Sequence, residues 1–121
     1  MTENQNSKQF DLEDRTFLFA KRVRKFIKEL PKTLANIEDG KQLIKSSGSI
    51  GANYIEANES LSKKDFILRV KICRKEAKES RYWLRLIQTN DNPVQEKERT
   101  ELISETVELT NILGSIIRKC E

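Results

Sequence analysis

The sequence has no histidine, and among its 121 residues it has only two cysteines, two prolines and four glycines. Without histidine, Ser-His-Asp and Cys-His catalytic arrangements are excluded, as are the Glu-x-x-His pairs of di-iron helical bundles. So few glycines and prolines disfavour a turn-rich β-sandwich, whereas 36% hydrophobic and 35% charged residues favour long amphipathic helices. The sequence therefore predicts an all-α protein that is not an enzyme and has no cofactor.

The two cysteines and the longest apolar stretches exclude further classes of protein. Cys73 and Cys120 lack the C-x-x-C spacing of a metal or redox site and the density of a disulfide scaffold. Cys73 falls on an apolar helix face, where a buried thiol is expected, and Cys120 is expected to be exposed. No segment approaches the roughly 18 apolar residues of a membrane span, and the polar N-terminus does not resemble a signal peptide. We predict a soluble cytoplasmic protein without membrane association.

Apolar residues recur at steps of three and four in four segments, which is the pattern of amphipathic helices. The predicted helices cover about residues 12–30, 36–59, 62–88 and 93–120. Pro31 ends the first, Ser62 caps the third, and Pro93 occupies the first turn of the fourth. Four helices with short connections predict an antiparallel up-down-up-down four-helix bundle over residues 10–121, preceded by a flexible tail over residues 1–9.

Small residues are concentrated in the second predicted helix. Gly48 and Gly51 interrupt it, and each costs about 1 kcal/mol relative to Ala in a helix interior. We expect close packing against a neighbouring helix to compensate for this cost.

Charge is unevenly distributed along the chain, which has a net charge of +4. Residues 63–88 contain nine basic and three acidic side chains, whereas residues 91–121 contain four basic and seven acidic ones. On the third helix five basic residues step by three or four and form one ridge, and four more occupy the outer face of the first helix. These candidate nucleic-acid-binding residues are Lys71, Arg74, Lys78, Arg81 and Arg85 of the ridge, with Lys21, Arg24, Lys25 and Lys28 of the first helix.

A basic ridge has several explanations that the sequence leaves open. It can neutralise phosphates, with salt-dependent affinity. It can also be a solvated face, or pair with the acidic fourth helix of its own or a neighbouring chain. A more distant alternative is a hard-cation site formed by Asn53, Glu56 and Glu59, for which a polar face or a salt bridge is the ordinary explanation.

Four apolar residues lie outside the main helix seams and predict self-association. A helix that is apolar on two edges must bury both, and a bundle of this size offers limited cover. These candidate interface residues are Phe17, Ile72, Trp83 and Leu86.

Three segments carry a family resemblance: SSGSIGANYIEANES, KICRKEAKESRYWLRLI and NILGSII. They resemble the four-helix-bundle proteins encoded by intervening sequences of large-subunit ribosomal RNA genes. They are also similar to accessory variability determinant proteins of diversity-generating retroelements. The resemblance implies a homo-oligomer, typically a pentamer, and in the retroelement branch binding to RNA and a reverse transcriptase. We predict an oligomeric nucleic-acid-binding accessory protein, and the alternative is a structural or protein-binding oligomer.

Overall fold

The computed structural model describes residues 12–121, which form four α-helices and no strand. Helix α1 spans Leu12–Lys28, α2 spans Leu34–Asn58, α3 spans Lys63–Leu86 and α4 spans Pro93–Cys120. The predicted all-α class is therefore confirmed. The predicted tail over residues 1–9 lies outside the described residues. In the described part of the chain, no helix combines the length and the apolarity that a membrane crossing requires.

Local capping explains where three of the helices begin. In each, the capping side chain accepts a hydrogen bond from the backbone N–H three residues further on, with a distance of 3.1 Å. This bond satisfies one of the amides that a helix start leaves unpaired. The loop before α4 also contains two non-glycine residues with positive φ, Asn90 at 55° and Asp91 at 61°. The capping residues are Thr33 for α2, Ser62 for α3 and Asn92 for α4.

Consecutive helices pack side by side, and α1 closes the bundle against α4. The diagonal pairs, α1 with α3 and α2 with α4, make no backbone contact within residues 12–121. Each short connection reverses the chain direction, as the predicted up-down-up-down bundle requires. The bundle prediction is thus confirmed. In the observed bundle, α4 lies between α1 and α3.

The core consists of one apolar stripe from each helix. Phe19, Leu43 and Leu84 are among its fully buried side chains. On α4 the last buried position is Ile117, and Ile116 is partly buried and packs against the core. The buried apolar residues of α3 and α4 are Val70, Cys73, Ala77, Leu84, Leu102, Leu109, Leu113 and Ile117.

The small residues of α2 allow close contact with its two neighbours. A Cβ on Gly51 would lie 2.8 Å from Thr16 Oγ1 of α1, which is closer than side chains tolerate. On the side toward α3, the buried hydroxyls of Ser46 and Ser80 are hydrogen-bonded at 2.9 Å. The predicted close packing is confirmed at Gly51. A Cβ on Gly48 would meet only Arg24 Nη2, at 3.5 Å.

Candidate nucleic-acid interface

The predicted ridge lies along the edge of α3 that borders α4. Lys71, Lys78, Arg81 and Arg85 are exposed, and Arg74 is half-buried. Lys78 and Arg81 border a shallow depression whose opposite wall is formed by Val107, Thr110 and Asn111 of α4. The helical spacing of the ridge predicted a continuous basic edge. In the bundle, an uncharged surface of α4 lies beside Lys78 and Arg81.

Helix α4 carries different chemistry on its two flanks. Four glutamates at steps of three and four face α1 and accept hydrogen bonds from arginines of that helix. The flank that faces α3 carries Val107, Thr110, Asn111 and Gly114 and is uncharged over this stretch. The glutamates of the acidic flank are Glu98, Glu101, Glu105 and Glu108.

Two arginines of α1 pair with the acidic flank of α4. Arg15 donates to both carboxylate oxygens of Glu105, at 2.7 and 2.9 Å, and also to Glu108 at 3.0 Å. Arg22 makes the equivalent bidentate pair with Glu98, at 3.2 and 3.0 Å. Hydrogen bonds to these carboxylates raise the pKa of both guanidinium groups, with Glu105 acting on Arg15 and Glu98 on Arg22. The acidic residues of α4 therefore hold α1 in place.

The ridge has little ion pairing of its own. Lys71 is 3.6 Å from a Glu121 carboxylate oxygen. The other four members, Arg74, Lys78, Arg81 and Arg85, have no ion-pair partner among residues 12–121. The sequence left open whether the ridge pairs with α4 of the same chain. Such pairing occurs only at the Lys71 end of the ridge. Most of the ridge's positive charge is thus available to an external anion.

The basic residues of α1 form a separate surface. Lys21, Arg24, Lys25 and Lys28 are all exposed, and helical geometry places them opposite the buried stripe of α1. Because α1 and α3 are diagonal, this surface and the ridge face different sides of one chain. A ligand on the ridge would reach the basic residues of α1 only by wrapping around the bundle or through a second chain.

The four predicted interface residues also occupy more than one place. Phe17 lies on α1 with 61% of its surface exposed, and Leu86 lies on α3 with 44% exposed. Ile72 is half-buried. Trp83 is half-buried and packs against the core of its own chain, with its ring edge-on to Tyr82. One chain therefore does not gather the four residues into a single patch.

The polar cluster at Asn53 and Glu56 contains an arginine. Arg69 donates to Asn53 Oδ1 at 3.2 Å, and its guanidinium lies 3.9 Å from Glu56. Asn53 in turn donates to the Ser49 carbonyl at 2.9 Å. A guanidinium beside these oxygens repels a cation, and across residues 12–121 no three His, Cys, Asp or Glu side chains are grouped to hold a metal ion. The arrangement is that of a link between α2 and α3.

The cysteines differ in burial. Cys73 is fully buried, as predicted, and burial raises the pKa of its thiol to about 12. At neutral pH it is a protonated core residue and a poor nucleophile. Cys120, expected to be exposed, is half-buried.

Arg118 belongs to the basic edge but was missed in the sequence analysis. It lies on the acidic α4, one helical turn after Gly114, and its guanidinium comes close to that of Arg74 over the glycine. The one-turn spacing was visible in the sequence. The approach of Arg74 depends on how α3 packs against α4, which local periodicity does not specify.

The helices and the charge distribution define a small antiparallel four-helix bundle with a basic edge along α3 and a separate basic surface on α1. Residues 8–115 match the family described as 23S rRNA-intervening sequence protein, and the chain belongs to that family. A crystal structure from the S23 ribosomal protein family of Bacteroides thetaiotaomicron, of unknown function, is similar, with a TM-score of 0.73 and 32% identity. The similarity covers 87% of this chain and 96% of that one. No curated protein matches this chain.

The comparisons confirm the resemblance to the intervening-sequence family that the three sequence segments indicated. The relation to retroelement accessory proteins, the pentamer and the binding residues stay predictions.

Proposed function

We propose that this protein binds RNA or DNA along the α3 edge and has no catalytic activity of its own. The observation that carries the proposal is the run of four basic side chains without an ion-pair partner in the described part of the chain, from Arg74 to Arg85. Four glutamates of α4 are engaged by Arg15 and Arg22 on the flank that faces α1, away from this edge.

The chemistry of this edge suits phosphates more than base edges. Lysine and arginine side chains neutralise phosphates and release condensed counterions, which contributes affinity without sequence preference. No recognised base-reading module occurs in the sequence. The proposed ligand is therefore a nucleic acid recognised through its backbone, and single and double strands, RNA and DNA, are all candidates.

Titration of labelled oligonucleotides at low salt tests the proposal. We expect binding to single- or double-stranded ligands with weak sequence preference. Affinity should fall at least tenfold between about 50 and 200 mM salt, because several phosphate contacts act together. No binding of any of these ligands at low salt, with the fold intact by circular dichroism, would refute the proposal.

A narrower role follows from the retroelement resemblance, in which the nucleic acid is shared with a reverse transcriptase. An adjacent reverse transcriptase gene with a variable-repeat gene would support this role, and location inside a ribosomal RNA gene would oppose it. Co-purification of the two proteins only in the presence of RNA would support it further.

A second candidate function is that of a self-assembling structural or protein-binding module. The exposed apolar side chains favour it: Phe17 and Leu18 on α1 are 61% and 58% exposed, and Tyr82 and Leu86 on α3 are 55% and 44% exposed. Such residues are typical of surfaces that another chain covers. Light scattering at micromolar concentration should then give a mass well above the 14.1 kDa of one chain, five times that mass for the pentamer that the resemblance implies. A mass of one chain would contradict self-association.

A further inference from the structure

Two guanidinium groups come together over a glycine at one end of the α3 edge. The position that a Cβ on Gly114 would take lies 3.4 Å from Arg118 Nη1 and 3.8 Å from Arg74 Nη1. The two nitrogens are therefore no more than about 7 Å apart. One arginine comes from α4 itself and the other from α3, so the pair spans the groove between the helices.

Packing does not explain the glycine at this position. Among side chains and neighbouring helices, an added Cβ on Gly114 would meet only these two arginines, at ordinary contact distances. Gly51 differs, because a Cβ there would collide with Thr16 at 2.8 Å. Gly114 also has no positive φ that would require glycine. A glycine inside a helix lowers helix stability, and here the buried Gly114 lets the two guanidinium groups lie close over the backbone of α4.

The charges around Gly114 favour an anion. Within residues 12–121, neither Arg74 nor Arg118 has a carboxylate partner, since the neighbouring Glu121 pairs with Lys71. Two like charges at this separation repel each other, and an anion between them removes the repulsion. A phosphate has several oxygens and can accept from both guanidiniums at about 2.8 Å each.

We propose that Arg74 and Arg118 hold one phosphate group over Gly114, at the end of the α3 edge. This inference rests on the proposed nucleic-acid binding and adds two elements to it. The first is a fixed position for a backbone phosphate. The second is a role for Arg118, a residue of the acidic helix α4.

Matched variants test the position. Arg118→Gln should weaken oligonucleotide binding and reduce the slope of log affinity against log salt by about one unit. Lys119→Gln removes the same charge from the next residue of α4, which helical geometry places on the flank of the glutamates, and should leave the slope unchanged. Equal effects of the two substitutions would overturn the inference.

Substitutions of the glycine test the position of the two guanidinium groups. Gly114→Ala should weaken binding while raising the melting temperature, because the methyl group would lie against both guanidiniums and alanine favours the helix. Gly114→Asp supplies a competing carboxylate and should weaken binding further. Unchanged binding by both folded variants would overturn the inference.

Inorganic phosphate separates this inference from the proposed function. In nuclear magnetic resonance spectra, phosphate should shift the Nε–Hε signals of Arg74 and Arg118 more than that of Arg81, with chloride at equal ionic strength as the control. Larger shifts for Arg74 and Arg118 in a protein that binds no oligonucleotide would refute the proposed function alone. Oligonucleotide binding without those larger shifts would refute the phosphate position alone.

Discussion

The two flanks of α4 use charge in opposite ways. Toward α1, Arg15 and Arg22 make bidentate pairs with Glu105 and Glu98 and single contacts with Glu108 and Glu101, so opposite charges are paired between the helices. Toward α3, uncharged residues such as Val107 and Asn111 border the basic side chains of the ridge. The same helix thus pairs with α1 on one side, and on the other it is uncharged beside Lys78 and Arg81 and basic at Arg118.

This difference shows why the net charge of a segment does not identify its role. The acidic surplus of residues 91–121 suggested a partner for the ridge, but it is arranged at three- and four-residue steps on the flank that faces away from it. Paired charges contribute to holding the helices together, whereas unpaired charges remain available for a ligand. Substitutions on each flank therefore test this difference.

The largest effect is expected from reversing charge on the ridge. Lys78→Glu with Arg81→Glu should weaken nucleic-acid binding about 100-fold or more at low salt, because two phosphate contacts become repulsive. The loss should be similar for every ligand that binds. Fluorescence anisotropy on the folded variant measures it.

The matched control is Lys97→Glu with Lys119→Glu, which changes the net charge equally but alters exposed residues of α4 outside the ridge. Its affinity should fall far less than that of the ridge variant. An equal loss would mean that net charge alone determines binding.

An intermediate effect, on stability, is expected for the other flank. Arg15→Ala with Arg22→Ala should lower the free energy of unfolding by about 1–2 kcal/mol, because two bidentate pairs are lost and the glutamates repel one another. The loss should shrink in high salt, which screens partly exposed charges. Urea denaturation at two salt concentrations measures it. Arg81→Ala with Arg85→Ala should stay within about 0.5 kcal/mol of wild type, and a larger loss there would contradict the contrast.

The smallest effects are expected at two glycines, and they should have opposite signs. Gly114→Ala should stabilise the protein by up to about 1 kcal/mol through helix propensity. Gly51→Ala gains the same propensity but forces a Cβ to within 2.8 Å of Thr16 Oγ1, so a net loss of about 1 kcal/mol is expected. Thermal melts of the two variants compare them directly. Shifts of the same sign would show that the two glycines have similar surroundings.

Periodicity, together with Pro31, Ser62 and Pro93 as signals of helix ends, predicted most of the fold. The steps of three and four identified four helices, and the predicted ends agree with the observed ones to within about two residues. Differences of about two residues occur at the start of α2 and the end of α1. Helix α2 begins at Leu34 because Thr33 caps it, a signal that the sequence analysis did not use, and α1 ends at Lys28 before the predicted Leu30.

The candidate site was predictable only within single helices. Spacing placed Lys78 and Arg81 on one ridge because positions three and four apart share a helix face. The contact of Arg15 with Glu105 joins residues 90 positions apart, and the meeting of Arg74 with Arg118 also crosses between helices. Such contacts depend on the rotation and register of packed helices, which no local pattern encodes.

Lysine acylation footprinting tests the central claim most directly, because it reports which flank a bound nucleic acid covers. The protein is acylated with and without saturating oligonucleotide, and the modification of each lysine is compared by mass spectrometry. We predict that Lys78 and Lys71, on the ridge, become several-fold less reactive in the complex, while Lys97 and Lys119 keep their reactivity. A complex in which Lys78 stays fully reactive, or in which Lys97 and Lys119 are protected as strongly as Lys78, would contradict the assignment of binding to the α3 edge.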